Sequence, residues 1–428
     1  LAKGSGRKSE DWNALRFEAA QLFTPSTPIG VAQFFSGRKK EIGQLVEAIA
    51  ERGRHAIVYG ERGVGKTSLS QVVHLMLPAR VSRVHYLRKA ADPKDDFDSI
   101  WRKIFRDLRI TSGQDAEPAV YVSDAYKDQK ITPDDVLREL RSFGLNDVPI
   151  IVVDEFNEIR DSATPRLMAN ALKALSDEGV NATVIIVGVA DDVSELIAGH
   201  ESISRCCEEV LMPRMRQDEL RDVIDFRIAR LGMQIETPAR WKIVNLSAGL
   251  PTFVHSLGKY SCYSAIDRRR KTIAEIDVDQ AIDKVLDSSQ QSLKQAFETA
   301  IKSNQPAAKF REVLTACALA RTDSSGFFTQ TAVRTPLGQM EGREVEIGNL
   351  RPQLHEFIEA RRGKVIERVG EERGFRYRFA DPAMQPYVIM AGIRAGILPE
   401  QAKSALSSQS DLFSTLPPQN SSPMGRRS

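Results

Sequence analysis

Residues Gly60-Glu61-Arg62-Gly63-Val64-Gly65-Lys66-Thr67 match the spacing G-x-x-x-x-G-K-[ST] in full. The chemistry this spacing suits is the binding of a polyphosphate. Glycines let the backbone approach an anion without a Cβ clash. Successive backbone N–H groups and the positive end of the following helix surround it. Gly60 to Ser68 is therefore the predicted nucleotide-binding stretch, with Lys66 on the β- and γ-phosphates and Thr67 on Mg²⁺. MgATP is the expected occupant. A second group of acids follows about 90 residues later. The apolar run Ile150–Val153 ends in Asp154 and Glu155. Carboxylates at the carboxyl end of a buried strand sit where open α/β sheets bind ligands. Asp154 suits a direct or indirect Mg²⁺ contact, and Glu155 suits the base that activates the attacking water. The plainer alternative is a strand that simply terminates in two acids.

The elements that must position these residues follow from the hydrophobic pattern. AIVYG (56–60) is a short apolar run that breaks into the glycine loop, and SLSQVVHLML (68–77) is helical up to Pro78. RVHYL (83–87), VPIIVVDE (148–155) and NATVIIVGVA (181–190) read as strands. DDFDSIWRKIFRDL (95–108), TPDDVLRELRSFG (132–144) and TPRLMANALKALSDEG (164–179) read as helices, the second with Thr132 as cap and Pro133 first. The helix after Phe35 is expected to be capped by Ser36. Apolar strands alternating with helices predict an α/β fold with a parallel sheet covered on both faces. Residues 216–290 read as helical throughout. Residues 291–392 mix helices with a late hairpin, and the Ser- and Pro-rich stretch beyond about 398 reads as disordered.

The bulk properties set limits on function. The chain has 428 residues, 42% hydrophobic and 27% charged, with a net charge of only +3. That length predicts two or three domains, and that charge offers no global field for nucleic acid. Cys206, Cys207, Cys262 and Cys317 form no C-x-x-C pair, so reduced thiols in a cytoplasmic protein and no zinc site are expected. No apolar run is long enough for a membrane span, and LAKGSGRKSEDW has no apolar signal-peptide core, so no export is expected.

The order of parts resembles the AAA+ superfamily, in particular its STAND-like and archaeal initiator-like (origin-recognition-type) branches, over residues 30–390. The matching features are Phe35-Ser36-Gly37-Arg38, GERGVGKTSL, VVDE, VIIVGVA, SISR and Gly249-Leu250-Pro251. The resemblance implies a P-loop ATPase domain (30–213) behind an N-terminal extension with a short helix (1–29). A helical lid (214–290), a winged-helix domain (291–392) and a disordered tail (393–428) would follow. It implies that Arg38 lies beside the base, that Pro251 packs near the nucleotide, and that Arg205 is an arginine finger acting on a neighbouring subunit. It implies self-association in the ATP state. Two departures argue for slow turnover. The strand Val184–Ala190 ends Gly188-Val189-Ala190 without a polar sensor, and Thr252 stands where a lid arginine is common.

In the C-terminal region, KFREVLTACALA (309–320), FFTQTAVRTPLG (327–338) and IGNLRPQLHEFIEARR (347–362) read as helices, the last capped by Asn349. KVIERV and FRYRF then form a hairpin. Three helices and a hairpin suggest a winged helix. Arg361, Arg362, Lys364, Arg376 and Arg378, with Arg368 and Arg373, gather near the hairpin as candidate contacts to double-stranded DNA phosphates. Glu367, Glu371 and Glu372 lie among them, so a protein interface or a solvated face stays open. Two functions compete: an ATPase switch with a DNA client, and a nucleotide-gated signalling scaffold with a protein partner, as in phage defence. A nucleotide-binding protein without hydrolysis is the third reading.

Overall fold

The computed structural model describes residues 11–25, 27, 30, 37–78, 83–110, 120–144, 146–197, 203–303, 308–323, 325–370 and 374–409. The expected cap Ser36, the base-side residue Phe35, and Glu371, Glu372 and Arg373 fall outside them. The chain divides into two compact units, Ser26–Met215 and a second made of Leu1–Pro25 with Arg216–Ser428.

The first unit is built on a five-stranded sheet. Its main strands are β1 (His55–Tyr59), β2 (Val84–Ala90), β5 (Val148–Asp154), β6 (Thr183–Val187) and β7 (Cys207–Leu211), in the order β2-β5-β6-β1-β7. All four pairings are parallel. A small antiparallel ribbon, β3 (Arg109–Ile110) with β4 (Val120–Tyr121), lies outside it. Helices α2 (Lys39–Ala50), α3 (Lys66–Val72), α4 (Phe97–Phe105), α5 (Pro133–Arg141) and α6 (Thr164–Asp177) complete the unit. The central strands are apolar on both faces because both are covered: Ile151, Val153, Val184 and Ile186 share one core with Trp101 and Phe105 of α4 and Leu172 of α6. This is the α/β P-loop NTPase sheet that the sequence predicts. Thr132 caps α5 as expected, its hydroxyl accepting from Asp135 N. The edge strand β7 escaped the pattern because Glu208 and Glu209 interrupt its apolar run. Glu208 is paired with Arg54 at 2.8 Å and accepts a hydrogen bond from the Gln44 amide at 2.9 Å.

The second unit is mostly helical. Helix α1 (Trp12–Leu22) packs on the long helix Pro251–Asp267. Phe23 is fully buried there, in space left by Gly258; a Cβ at Gly258 would stand 2.4 Å from Phe23 Cε1. Arg16 pairs with Asp267 at 2.6 Å and stacks on the Tyr263 ring. A two-residue pairing, β8 (Gln234–Ile235) with β9 (Thr272–Ile273), ties this region further.

The C-terminal part of this unit differs from the sequence expectation in three places. Phe327 and Phe328 are not helical. Phe328 exchanges backbone hydrogen bonds with Tyr377, at 2.7 and 2.9 Å, alongside the ribbon β10 (Ile366–Val369) and β11 (Arg376–Phe379). The helix therefore begins at Gln330, capped by Thr329. Asn349 is not a cap: it ends a 3₁₀ turn, and the helix Arg351–Ile358 follows Leu350 with no side-chain cap. Beyond the helix Met384–Arg394, part of the expected tail is folded, since a second helix spans Glu400–Leu406. Asn245 holds the second of these by donating to the carbonyls of Ala405, Leu406 and Ser408 at 3.2, 3.0 and 3.1 Å. Residues 410–428 lie outside the described chain.

Candidate functional site

The loop between β1 and α3 owes its shape to glycine. Gly60, Gly63 and Gly65 have φ of +138°, +84° and +100°. Only glycine takes these angles without strain. Gly60 is also crowded: a Cβ there would meet Met212 O at 2.4 Å. Gly65, the N-cap of α3, faces open space instead. Between them Val64 is buried and anchors the loop, while Arg62 and Gly63 are exposed.

Two arginines, Arg38 buried and Arg214 half-buried, grip this loop from flanking segments. Arg38 is 2% exposed and donates to Val64 O at 3.2 Å and to Pro213 O. Its own backbone is left-handed, at φ +58°, just before α2. Arg214 holds Glu61 at 2.7 Å, with both side chains no more than 10% exposed. Lys66 is buried, and its ammonium donates to Gly60 O at 2.8 Å and Glu61 O at 2.6 Å. Burial pushes its pKa down to about 8, while the charges of Asp154 and Glu61 act in the opposite sense. Thr67 and Ser68 follow half-buried in the first turn of α3.

Asp154 ends β5 on the same side. It is 2% exposed, and its Oδ2 accepts from Arg88 Nε at 3.1 Å and Nη2 at 2.6 Å. Oδ1 accepts from Glu155 N at 2.9 Å. Glu155 is exposed, and its φ of +55° is uncommon for a residue with a side chain. Such backbone outliers gather at functional sites. The structure thus brings Lys66 and Asp154 within electrostatic reach, with Glu155 next in the chain. Arg205 is exposed in the turn before β7.

At the end of β6 the polar group comes from elsewhere in the fold. Asn157, in the 3₁₀ turn after Glu155, accepts from Val189 N at 2.8 Å. Asn157, Arg88 and Arg214 were not singled out in the sequence. Asn157 was hidden by its position after the acids rather than on β6. Arg88 needed the strand register, and Arg214 sits beyond the apparent end of the strand pattern.

In the helical unit, Pro251 is the first residue of its helix, after Ala248 and Gly249 with φ of +47° and +83°. His255 accepts from Thr24 N at 3.0 Å, and burial together with the nearby Arg227 charge pushes its pKa down to about 3.

The arginines read as DNA contacts have acidic partners. Arg378 pairs with Glu367 at 3.0 Å and Arg376 with Asp323 at 3.4 Å. Arg361 and Arg362 share Glu356. Arg376 and Arg378 also lie over the Phe327 ring at 4.8 and 4.7 Å. Lys364 is exposed at φ +47°.

Comparison with known proteins bears on the family and the fold. A sequence model of the family described as Novel STAND NTPase 1 matches residues 29–361. An ORC1-type DNA replication protein of Thermoplasma volcanium is 26% identical over 274 residues, which is 58% of this chain and 62% of that protein. The match thus spans less than two thirds of that relative's length. A Walker-type ATPase of Pyrococcus abyssi shares the fold at a TM-score of 0.51 and 17% identity, covering 86% of this chain and 99% of that one. The ORC1 protein of Aeropyrum pernix, solved in complex with DNA, aligns at a TM-score of 0.46 and 15% identity over 88% and 97% of the two chains. The chain belongs to the Novel STAND NTPase 1 family and is an AAA+ P-loop NTPase.

Proposed function

We propose that this protein is a slow ATP-driven switch whose nucleotide state controls self-association. The observation that carries the reading is the glycine loop with Lys66 buried beside Asp154. An ammonium, a threonine hydroxyl and a carboxylate are the donor set that a polyphosphate and a hard divalent cation require. Lys66 would exchange its two loop carbonyls for phosphate oxygens. Thr67 and Asp154 would hold Mg²⁺, which when bound neutralises charge on the β- and γ-phosphates. Backbone N–H groups from Glu61 to Ser68 would bind the phosphates, with Arg38 contributing near the base. Glu155 would orient and deprotonate the attacking water. Gly188-Val189-Ala190 supply no charge to the γ-phosphate, which supports slow turnover. Arg205 is exposed in the turn before β7, which suits action on a neighbouring copy.

The three helices and ribbon of residues 310–379 are read as a winged helix that transmits this state. The name of the Thermoplasma relative supports a duplex DNA client, with Lys364 and the ribbon arginines as contacts. A protein partner is the second reading. It is favoured by the acidic partners of Arg361, Arg362, Arg376 and Arg378, and by Val369, which is 42% exposed on the ribbon. Sedimentation with ATP or ADP, with and without duplex DNA, separates these. The account expects larger species with ATP and their loss in Arg205→Ala. Species independent of nucleotide contradict the switch. DNA binding that is insensitive to salt or to Arg376→Glu with Arg378→Glu contradicts the DNA client.

A further inference from the structure

Asp154 has a cationic partner that the proposed chemistry does not use. Arg88 stands two places before Ala90, which is the register partner of Asp154. Side chains two apart on a strand share a face. Arg88 therefore lies on the Asp154 side of the sheet. Tyr86, two residues earlier, marks that face as the one toward α3, because its hydroxyl donates to Ser70 O at 3.1 Å.

The pairing is one-sided in two respects. Both guanidinium donors converge on Oδ2, at 3.1 and 2.6 Å, instead of spanning the two carboxylate oxygens. The Asp154 side chain is 3% exposed, whereas that of Arg88 is 30% exposed. The carboxylate is thus fixed inside, and its cation has a path to solvent. The same carboxylate also acts on the charge of Lys66. The buried acid thus has one hydrogen-bonded cation, Arg88, while the Lys66 ammonium is bonded to the carbonyls of Gly60 and Glu61.

We propose that Arg88 is a built-in competitor for the divalent cation at Asp154, and that it sets how much Mg²⁺ the nucleotide site requires. This rests on the reading of Asp154 as the Mg²⁺ carboxylate. A divalent cation needs a carboxylate oxygen at about 2.1 Å, and Arg88 already occupies Oδ2 with two N–H groups. A cation bound there also meets a like charge at short range in a partly desolvated site. Arg88 yields by swinging toward solvent, so it acts through Asp154 as a positioning residue.

Equilibrium binding of methylanthraniloyl-ATP at rising Mg²⁺ concentration tests this on the full chain. In Arg88→Gln the Mg²⁺ needed for half of the metal-dependent signal should fall by about tenfold. Arg88→Lys keeps a charge without the fork, so it should shift in the same direction by about threefold. Either variant, folded by thermal melting, supports the proposal by lowering the Mg²⁺ requirement and overturns it by leaving the requirement equal or higher. If wild type shows no Mg²⁺-dependent nucleotide binding, the MgATP reading itself fails and this inference with it. Mg²⁺-dependent binding that is indifferent to Arg88 sinks this inference alone.

Discussion

The Glu61 carboxylate meets the Arg214 guanidinium at 2.7 Å, and neither side chain is more than 10% exposed. One residue belongs to the phosphate loop after β1 and the other follows β7, so this ion pair fastens the loop to the end of the neighbouring edge strand. Breaking a buried pair leaves a charge without compensation. Arg214→Ala should therefore destabilise the protein by about 3 kcal/mol, read by urea denaturation. Glu61→Met with Arg214→Met should recover most of that loss. A single substitution that leaves stability unchanged contradicts the burial argument.

Gly258 sets the docking of the N-terminal helix. Its missing Cβ leaves the space that Phe23 fills, with Ile224 next nearest at 2.8 Å. Gly258→Ala should cost about 2 kcal/mol through overpacking. The same change should speed proteolysis within α1. Unchanged cleavage would show that Phe23 does not hold this helix.

His255 makes the stability of the helical unit depend on pH. Its ring must stay neutral at Nδ1 to accept from Thr24 N. Its folded pKa is about 3, against an ordinary 6.5. Between these values the unfolded chain binds the extra proton, so stability rises with pH across that window and is lost as pH falls through it. Acidifying from about pH 7 to about pH 5 should cost about 2 kcal/mol at this one site. His255→Gln keeps an acceptor and removes the titration, so its denaturation midpoint should fall less over the same range. Equal slopes would remove His255 from the account.

Asn245 clamps the C-terminal helix. One buried amide serves three carbonyls of residues 405, 406 and 408, and its own oxygen accepts from Gln217 at 2.8 Å. Asn245→Ala leaves those carbonyls without their donor. Hydrogen exchange should then show faster exchange at residues 400–408 and little change in the sheet. Protection that stays as in wild type would contradict this role.

The sheet was legible because burial on both faces leaves near-continuous apolar runs, as at Ile150–Val153 and Val184–Val187. The phosphate loop was legible because its glycine positions are dictated by backbone angles that other residues resist. β7 was obscured by Glu208 and Glu209, and Glu208 is accommodated because Arg54 and Gln44 reach it from other segments. Arg88, Arg214 and Asn157 act across the sheet, and only the strand order and register reveal their neighbours. Phe327 and Phe328 have an apolar pattern that suits a helix as well as a strand, and pairing with Tyr377 decides between them. The helix Glu400–Leu406 is short and polar, and it is held by contacts from Asn245 and from Ser407 to Glu275 instead of by its own pattern.

ATP turnover by wild type and Lys66→Ala, measured over a range of protein concentrations, tests the central claim most directly. The account predicts slow release of phosphate by wild type and none above background in the variant. It predicts that Glu155→Gln binds ATP without hydrolysing it, and that specific activity rises with concentration as Arg205 reaches a neighbour. Wild-type turnover no greater than that of Lys66→Ala would contradict it.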